Sequence, residues 1–122
     1  SVNKLGGYRV QGKETEKANL MISTAKNLVE AGADMVLLEC VPTPLAQKIT
    51  EKVDVPVIGI GAGNVTDGQV LVMHDLLGIS GGHKPKFVKN FMADASSILD
   101  AFTQYNDDVK SGDFPSLDFS FS

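Results

Sequence analysis

At 122 residues the chain has room for one domain at most, since domains commonly run about 100 to 200 residues. A hydrophobic fraction of 43% with 21% charged residues excludes collagen-like, disulfide-scaffold and disordered chains. A net charge of −4, with acids interspersed among bases, offers no basic face to a nucleic-acid backbone, and no apolar run approaches the roughly 18 residues of a membrane span.

Taken in order, residues 1–13 carry Gly6, Gly7 and Gly12 without sustained periodicity and read as a loop arriving from something upstream. The start of the chain lacks the charge, apolar core and cleavage site of a signal peptide. Residues 14–31 place Ala18, Met21, Ile22, Ala25, Leu28 and Val29 at helical spacing, with Gly32 where a left-handed cap belongs. Residues 35–40, MVLLEC, are apolar without alternation, as in a parallel strand covered on both faces. Thr43 and Pro44 then supply an N-cap and a first-turn proline for a helix over 44–53, lined by Leu45, Ala46, Ile49 and Val53.

Residues 55–60 repeat the strand pattern and leave it through Gly59, Gly61 and Gly63. Residues 69–73 fit a third strand or a helical turn equally, because five residues do not define a period. Beyond Gly81 and Gly82, Phe87, Val88, Phe91 and Met92 predict a short helix over 85–92. Ile98, Leu99, Phe102, Tyr105 and Val109 predict a longer one over 93–111, ended by Gly112 and Pro115. This alternation implies an α/β fold with a parallel sheet. Its few strands cannot close a barrel, which takes about 250 residues, so barrel sequence of this length is the carboxy-terminal part of one.

Glu39 ends an apolar strand, and in parallel α/β proteins that end faces the ligand crevice, where apolar walls raise a carboxyl toward the range of a general base. A structural glutamate paired with a lysine explains the position equally well. Cys40, the only cysteine, excludes an intrachain disulfide, reads as a buried small hydrophobe, and fits a cytoplasmic location. The glycine cluster is not a dinucleotide fingerprint: counted from Gly59 and Gly61, the third glycine would fall on Asn64, and no phosphate-loop motif follows. Its glycines are expected to let backbone approach a ligand or a neighbouring strand. Asp67, His74 and Asp75 could be drawn as metal ligands, but His74 is better read as a core histidine and Asp75 as a cap or turn residue. His83, Lys84 and Lys86 form a basic loop that could meet an anion; a solvated loop is the preferred reading.

Together the segments GGYRVQGK (6–13), LLECVP (37–42), PVIGIGAGNVTDGQVLVMHDLLGI (56–79) and PKFVKNF (85–91) resemble the ketopantoate hydroxymethyltransferase family. The resemblance covers essentially the whole chain, in order. It implies the carboxy-terminal part of a (β/α)8 TIM barrel of the phosphoenolpyruvate/pyruvate superfamily, with residues 1–122 a single partial barrel segment and 93–122 its terminal helix and tail. It implies a homo-oligomer, typically a decamer. The implied reaction transfers a hydroxymethyl group from 5,10-methylenetetrahydrofolate to 3-methyl-2-oxobutanoate, with Mg2+, in pantothenate and coenzyme A biosynthesis. Glu39, in the LECVP segment, takes the place of the family's catalytic base. The family's metal-binding and ketoacid-binding motifs have no match here, so metal ligands and an active chain both require a complementary amino-terminal half. Two other readings are a related C–C lyase of the same superfamily and a non-catalytic assembly fragment.

Overall fold

The computed structural model describes residues 15–122, so the loop expected over 1–13 lies outside the described residues. The chain opens with helix α1 (Thr15–Glu30), strand β1 (Val36–Glu39), helix α2 (Thr43–Lys52) and strand β2 (Val57–Ile60). A short strand β3 (Gly68–Gln69), a single helical turn α3 (Met73–Leu76), helix α4 (Ile98–Ser111) and a 3-10 turn (Leu117–Phe119) complete it. Residues 69–73 thus hold the end of a strand and the start of a helix. The three strands form one parallel sheet in the order β1-β2-β3.

The helices of the first half pack on one face of this sheet. Val36 and Leu38 of β1, Val57 of β2, Ala25 of α1, and Leu45, Ala46 and Ile49 of α2 make one buried cluster. On the opposite face β1 is bare, while Ile58 and Ile60 of β2 are half-buried, Ile60 against the cluster of Cys40, Phe87 and Val88. Met35 and Leu37 are 57% and 60% exposed, and Leu28 of α1, at the free edge of β1, is 51% exposed. The apolar run over 35–40 anticipates cover on both faces; within the described residues only one face is covered. Glycine closes two helices as expected, Gly32 at φ 110° after α1 and Gly112 at φ 84° after α4.

The structure corrects three expectations. No helix forms over 85–92: its apolar residues serve two clusters, Phe87 and Val88 packing with Cys40, and Phe91 with Leu76, Ala101 and Phe114. The Asn90 side chain accepts a hydrogen bond from the Met92 N–H at 2.9 Å, the local competition that takes backbone out of a helix. The last helix starts at Ile98 rather than 93, because Ser97 caps it by accepting from the Asp100 N–H at 3.0 Å, and Asp100 accepts in turn from the Ser96 N–H. Thr43 is the first residue of α2 and not its cap, which is Pro42. Its N–H and its hydroxyl both donate to the Phe121 carbonyl, at 2.9 and 3.1 Å, so the tail satisfies a donor that a side-chain cap would otherwise take.

Candidate active site

The carboxyl ends of β1 and β2 lie side by side, with Glu39 in register with Ile60 and Leu37 with Ile58. Alternation along β1 buries Val36 and Leu38 under the helices, which puts Leu37 and Glu39 on the bare face. Glu39 is therefore an exposed carboxylate on the last residue of its strand, beside Ile60 and at the mouth of the sheet. It lines an open, largely apolar recess of about 190 Å3 with Met21, Leu28, Leu37 and Val41, so the described residues build only part of the apolar enclosure anticipated around it.

The chain beyond Glu39 is tightly held. Cys40 is buried, 3% exposed, and packs against Phe87 and Val88, as a small hydrophobe would. Its thiol is pushed up from about 9 to about 11, first by burial and second by the Glu39 carboxylate. Below pH 9 the thiol is protonated folded or unfolded; between 9 and 11 only the unfolded chain ionises, so stability falls as pH climbs through that window. Urea unfolding of the wild-type chain should show this alkaline loss, and Cys40→Ala should lessen it, leaving the part that begins near pH 10 from Tyr105, which burial also pushes up. At pH 8 the native thiol should react with a disulfide reagent far more slowly than in denaturant.

The glycine run after β2 is a packing device. Gly61 has φ 68°, and a Cβ there would stand 2.9 Å from Phe87 Cδ2 and 3.4 Å from the Cys40 nitrogen. Gly63, at φ 77°, lies so close to the Thr43 side chain that a Cβ would overlap it. The neighbours that approach these glycines are thus the loop at Phe87 and the start of α2. Gln69 of β3 pins the loop by donating to the Gly63 carbonyl at 2.8 Å and to Thr66 Oγ1 at 3.1 Å. Asn64, the residue that spoils the dinucleotide fingerprint, donates to the Gly112 carbonyl at 3.0 Å and ties the loop to the end of α4.

The remaining candidates do not converge on Glu39. Asp67 fastens the start of β2, its carboxylate accepting from the Val57 N–H at 2.8 Å. His74 is exposed on α3, which corrects the core-histidine expectation, and the Asp75 carbonyl accepts from the Gly78 N–H in the turn that follows. Among the described residues no group of three or more His, Cys, Asp or Glu side chains assembles that could hold a metal ion. His83 and Lys84 are exposed and line a recess of about 110 Å3 with Asp75, Ser80 and Asn90. Lys86 instead lies over the Phe121 ring, 5.4 Å from its centroid. The ties from Thr43 and Asn64 escape the sequence because each spans a long separation and leaves no local signature.

A parallel sheet with helices on one face, a carboxylate at its mouth and loops packed through glycine places the chain among α/β proteins whose sites lie at the carboxyl ends of the strands. The model of the ketopantoate hydroxymethyltransferase family matches residues 1–117, and the chain belongs to that family. It is 62% identical over 122 residues to 3-methyl-2-oxobutanoate hydroxymethyltransferase 2 of Hahella chejuensis, covering 100% of this chain and 46% of the relative. To the 3-methyl-2-oxobutanoate hydroxymethyltransferase of Vibrio cholerae it is 60% identical over 117 residues, 96% of this chain and 44% of the relative. To that of Erwinia tasmaniensis it is 54% identical over 121 residues, 99% of this chain and 46% of the relative. The chain spans less than half the length of these curated relatives.

Proposed function

We propose that this chain supplies the catalytic base and the last strands of a (β/α)8 barrel that transfers a hydroxymethyl group from 5,10-methylenetetrahydrofolate to 3-methyl-2-oxobutanoate, forming ketopantoate for pantothenate biosynthesis. The observation that carries the reading is Glu39, an exposed carboxylate at the carboxyl end of β1 in a chain of this family. The bare sheet face supports the barrel. Met35, Leu37 and Leu28 are more than half exposed, although burying a side chain of this kind is worth about 1.5–3 kcal/mol. Strands and helices from the rest of the relatives' length would cover that face and pair the free edge of β1.

The hydrogen on C3 of the ketoacid lies α to the ketone, so its removal leaves an enolate whose charge the carbonyl oxygen shares. Glu39 takes that proton on a carboxylate oxygen, and the carbon nucleophile forms the new C–C bond to the methylene carbon, whose two bonds to folate nitrogens are broken overall, with water supplying the hydroxyl and tetrahydrofolate leaving. Mg2+ is the metal that the resemblance implies. The described residues assemble no ligand set for it, and the role given to Glu39 is proton transfer alone. A homo-oligomer, with a decamer the implied form, belongs to the same proposal and is supported by Ile98, Leu99 and Leu117, exposed by 57%, 76% and 88% away from the sheet. So does a cytoplasmic location, which a buried reduced thiol fits; no described helix is long and apolar enough to cross a membrane.

Assayed with ketoacid, folate donor and Mg2+, the purified chain is expected to form no ketopantoate alone. It should do so when combined with the residues that fill the rest of its relatives' length, here called the completed protein. Clear turnover by the chain alone would refute the shared barrel.

A further inference from the structure

Cys40 interrupts β1 in a way that the role of Glu39 does not by itself require. Among the described residues it is the only non-glycine with positive φ, at 54°. A left-handed backbone costs a residue bearing a Cβ roughly 1–2 kcal/mol and persists only where the surroundings hold it. The hydrogen bonds show what holds it here. Along β1 the N–H groups that face β2 recur at every second residue: that of Val36 donates to the Pro56 carbonyl and that of Cys40 to the Ile60 carbonyl, both at 3.0 Å. The Val41 N–H then donates to the Gly61 carbonyl at 3.1 Å, so two consecutive residues face the same neighbour, as at a bulge.

The side chains record the same turn. A strand continued regularly would put Val41 on the face of Leu37 and Glu39. Instead Val41 is 2% exposed and packs with Val36 and Leu38 on the helix side, while Cys40 packs with Phe87 and Val88. Without the turn, the Val41 side chain would stand about 7 Å beyond that of Glu39 on the same face, at the mouth of the sheet.

We propose that the left-handed turn at Cys40 is a positioning device for the reaction assigned to Glu39: it turns Val41 into the helix layer and leaves the mouth side of the carboxylate open to the ketoacid. The inference rests on Glu39 as base, and it assigns the role to the Cys40 backbone rather than to its thiol.

Two variants of the completed protein, both lacking the thiol, test it. Cys40→Val is β-branched and resists the left-handed region, whereas Cys40→Gly enters it freely. The expected kcat/KM for the ketoacid falls about tenfold or more in Cys40→Val and stays within about threefold of wild type in Cys40→Gly. A role in packing alone predicts a loss in both variants, because glycine removes buried volume and valine adds to it. Cys40→Val near wild type, or Cys40→Gly falling as far as Cys40→Val, overturns the proposal; if Cys40→Val does not fold, a loss of more than about tenfold in Cys40→Gly does so by itself. Glu39→Gln, run alongside, separates the two ideas. If it is inactive while Cys40→Val is fully active, only the positioning role fails; if it is active, the base assignment fails and takes this proposal with it.

Discussion

Glu39→Gln in the completed protein is expected to lower kcat for ketopantoate formation by about 100-fold or more, the usual consequence of losing a general base. Glutamine keeps the length and planarity of the side chain and can still accept a hydrogen bond, but it cannot hold the proton taken from C3. KM for the ketoacid should therefore move much less than kcat. Glutamine nearly matches glutamate in shape and keeps a hydrogen-bond acceptor at the end of β1, so the change should cost little stability. The thermal midpoint should stay near that of wild type, which separates lost chemistry from lost fold. Activity within a fewfold of wild type would remove Glu39 from the reaction.

The second large effect is structural. Gly61→Ala puts a methyl group 2.9 Å from Phe87 Cδ2 on a backbone at φ 68°. The left-handed conformation costs about 1–2 kcal/mol, and forcing a carbon into a packed cluster adds about 1–3 kcal/mol. Phe87 is 3% exposed and shares that cluster with Cys40 and Val88, so the ring has little room to retreat. Urea unfolding of the chain should show a loss of about 2–5 kcal/mol, and a change below about 0.5 kcal/mol would mean that the loop relaxes freely. The Cys40 nitrogen would lie 3.4 Å from the new methyl, an ordinary contact, so the loss is expected to come from Phe87 and the left-handed backbone.

The elements that the sequence made legible are those with a local cause. The apolar positions of α1 recur every three or four residues, Gly32 and Gly112 close helices, and the runs ending at Glu39 and Ile60 are too short and too apolar to be surface helices. Glu39 itself could be placed at a strand end on pattern alone, and the resemblance gave it a role. What the pattern misread was set by distant partners. Phe87, Val88, Phe91 and Met92 are spaced like a helix face, yet they divide between two clusters built by residues far along the chain. Thr43 looks like a cap until the Phe121 carbonyl takes its donors. The start of α4 does carry a local signal, since Ser97 and Asp100 have the spacing of a capping pair. The turn at Cys40 has no sequence signal, because cysteine carries no preference for the left-handed region.

Proton exchange at C3 of 3-methyl-2-oxobutanoate tests the central claim most directly, since it isolates the step given to Glu39 from the transfer that follows. In D2O with tetrahydrofolate and Mg2+, followed by proton NMR, the completed protein should wash out the C3 hydrogen, and the Glu39→Gln form should do so at least about 100-fold more slowly. Exchange at the wild-type rate without the Glu39 carboxylate would contradict the account.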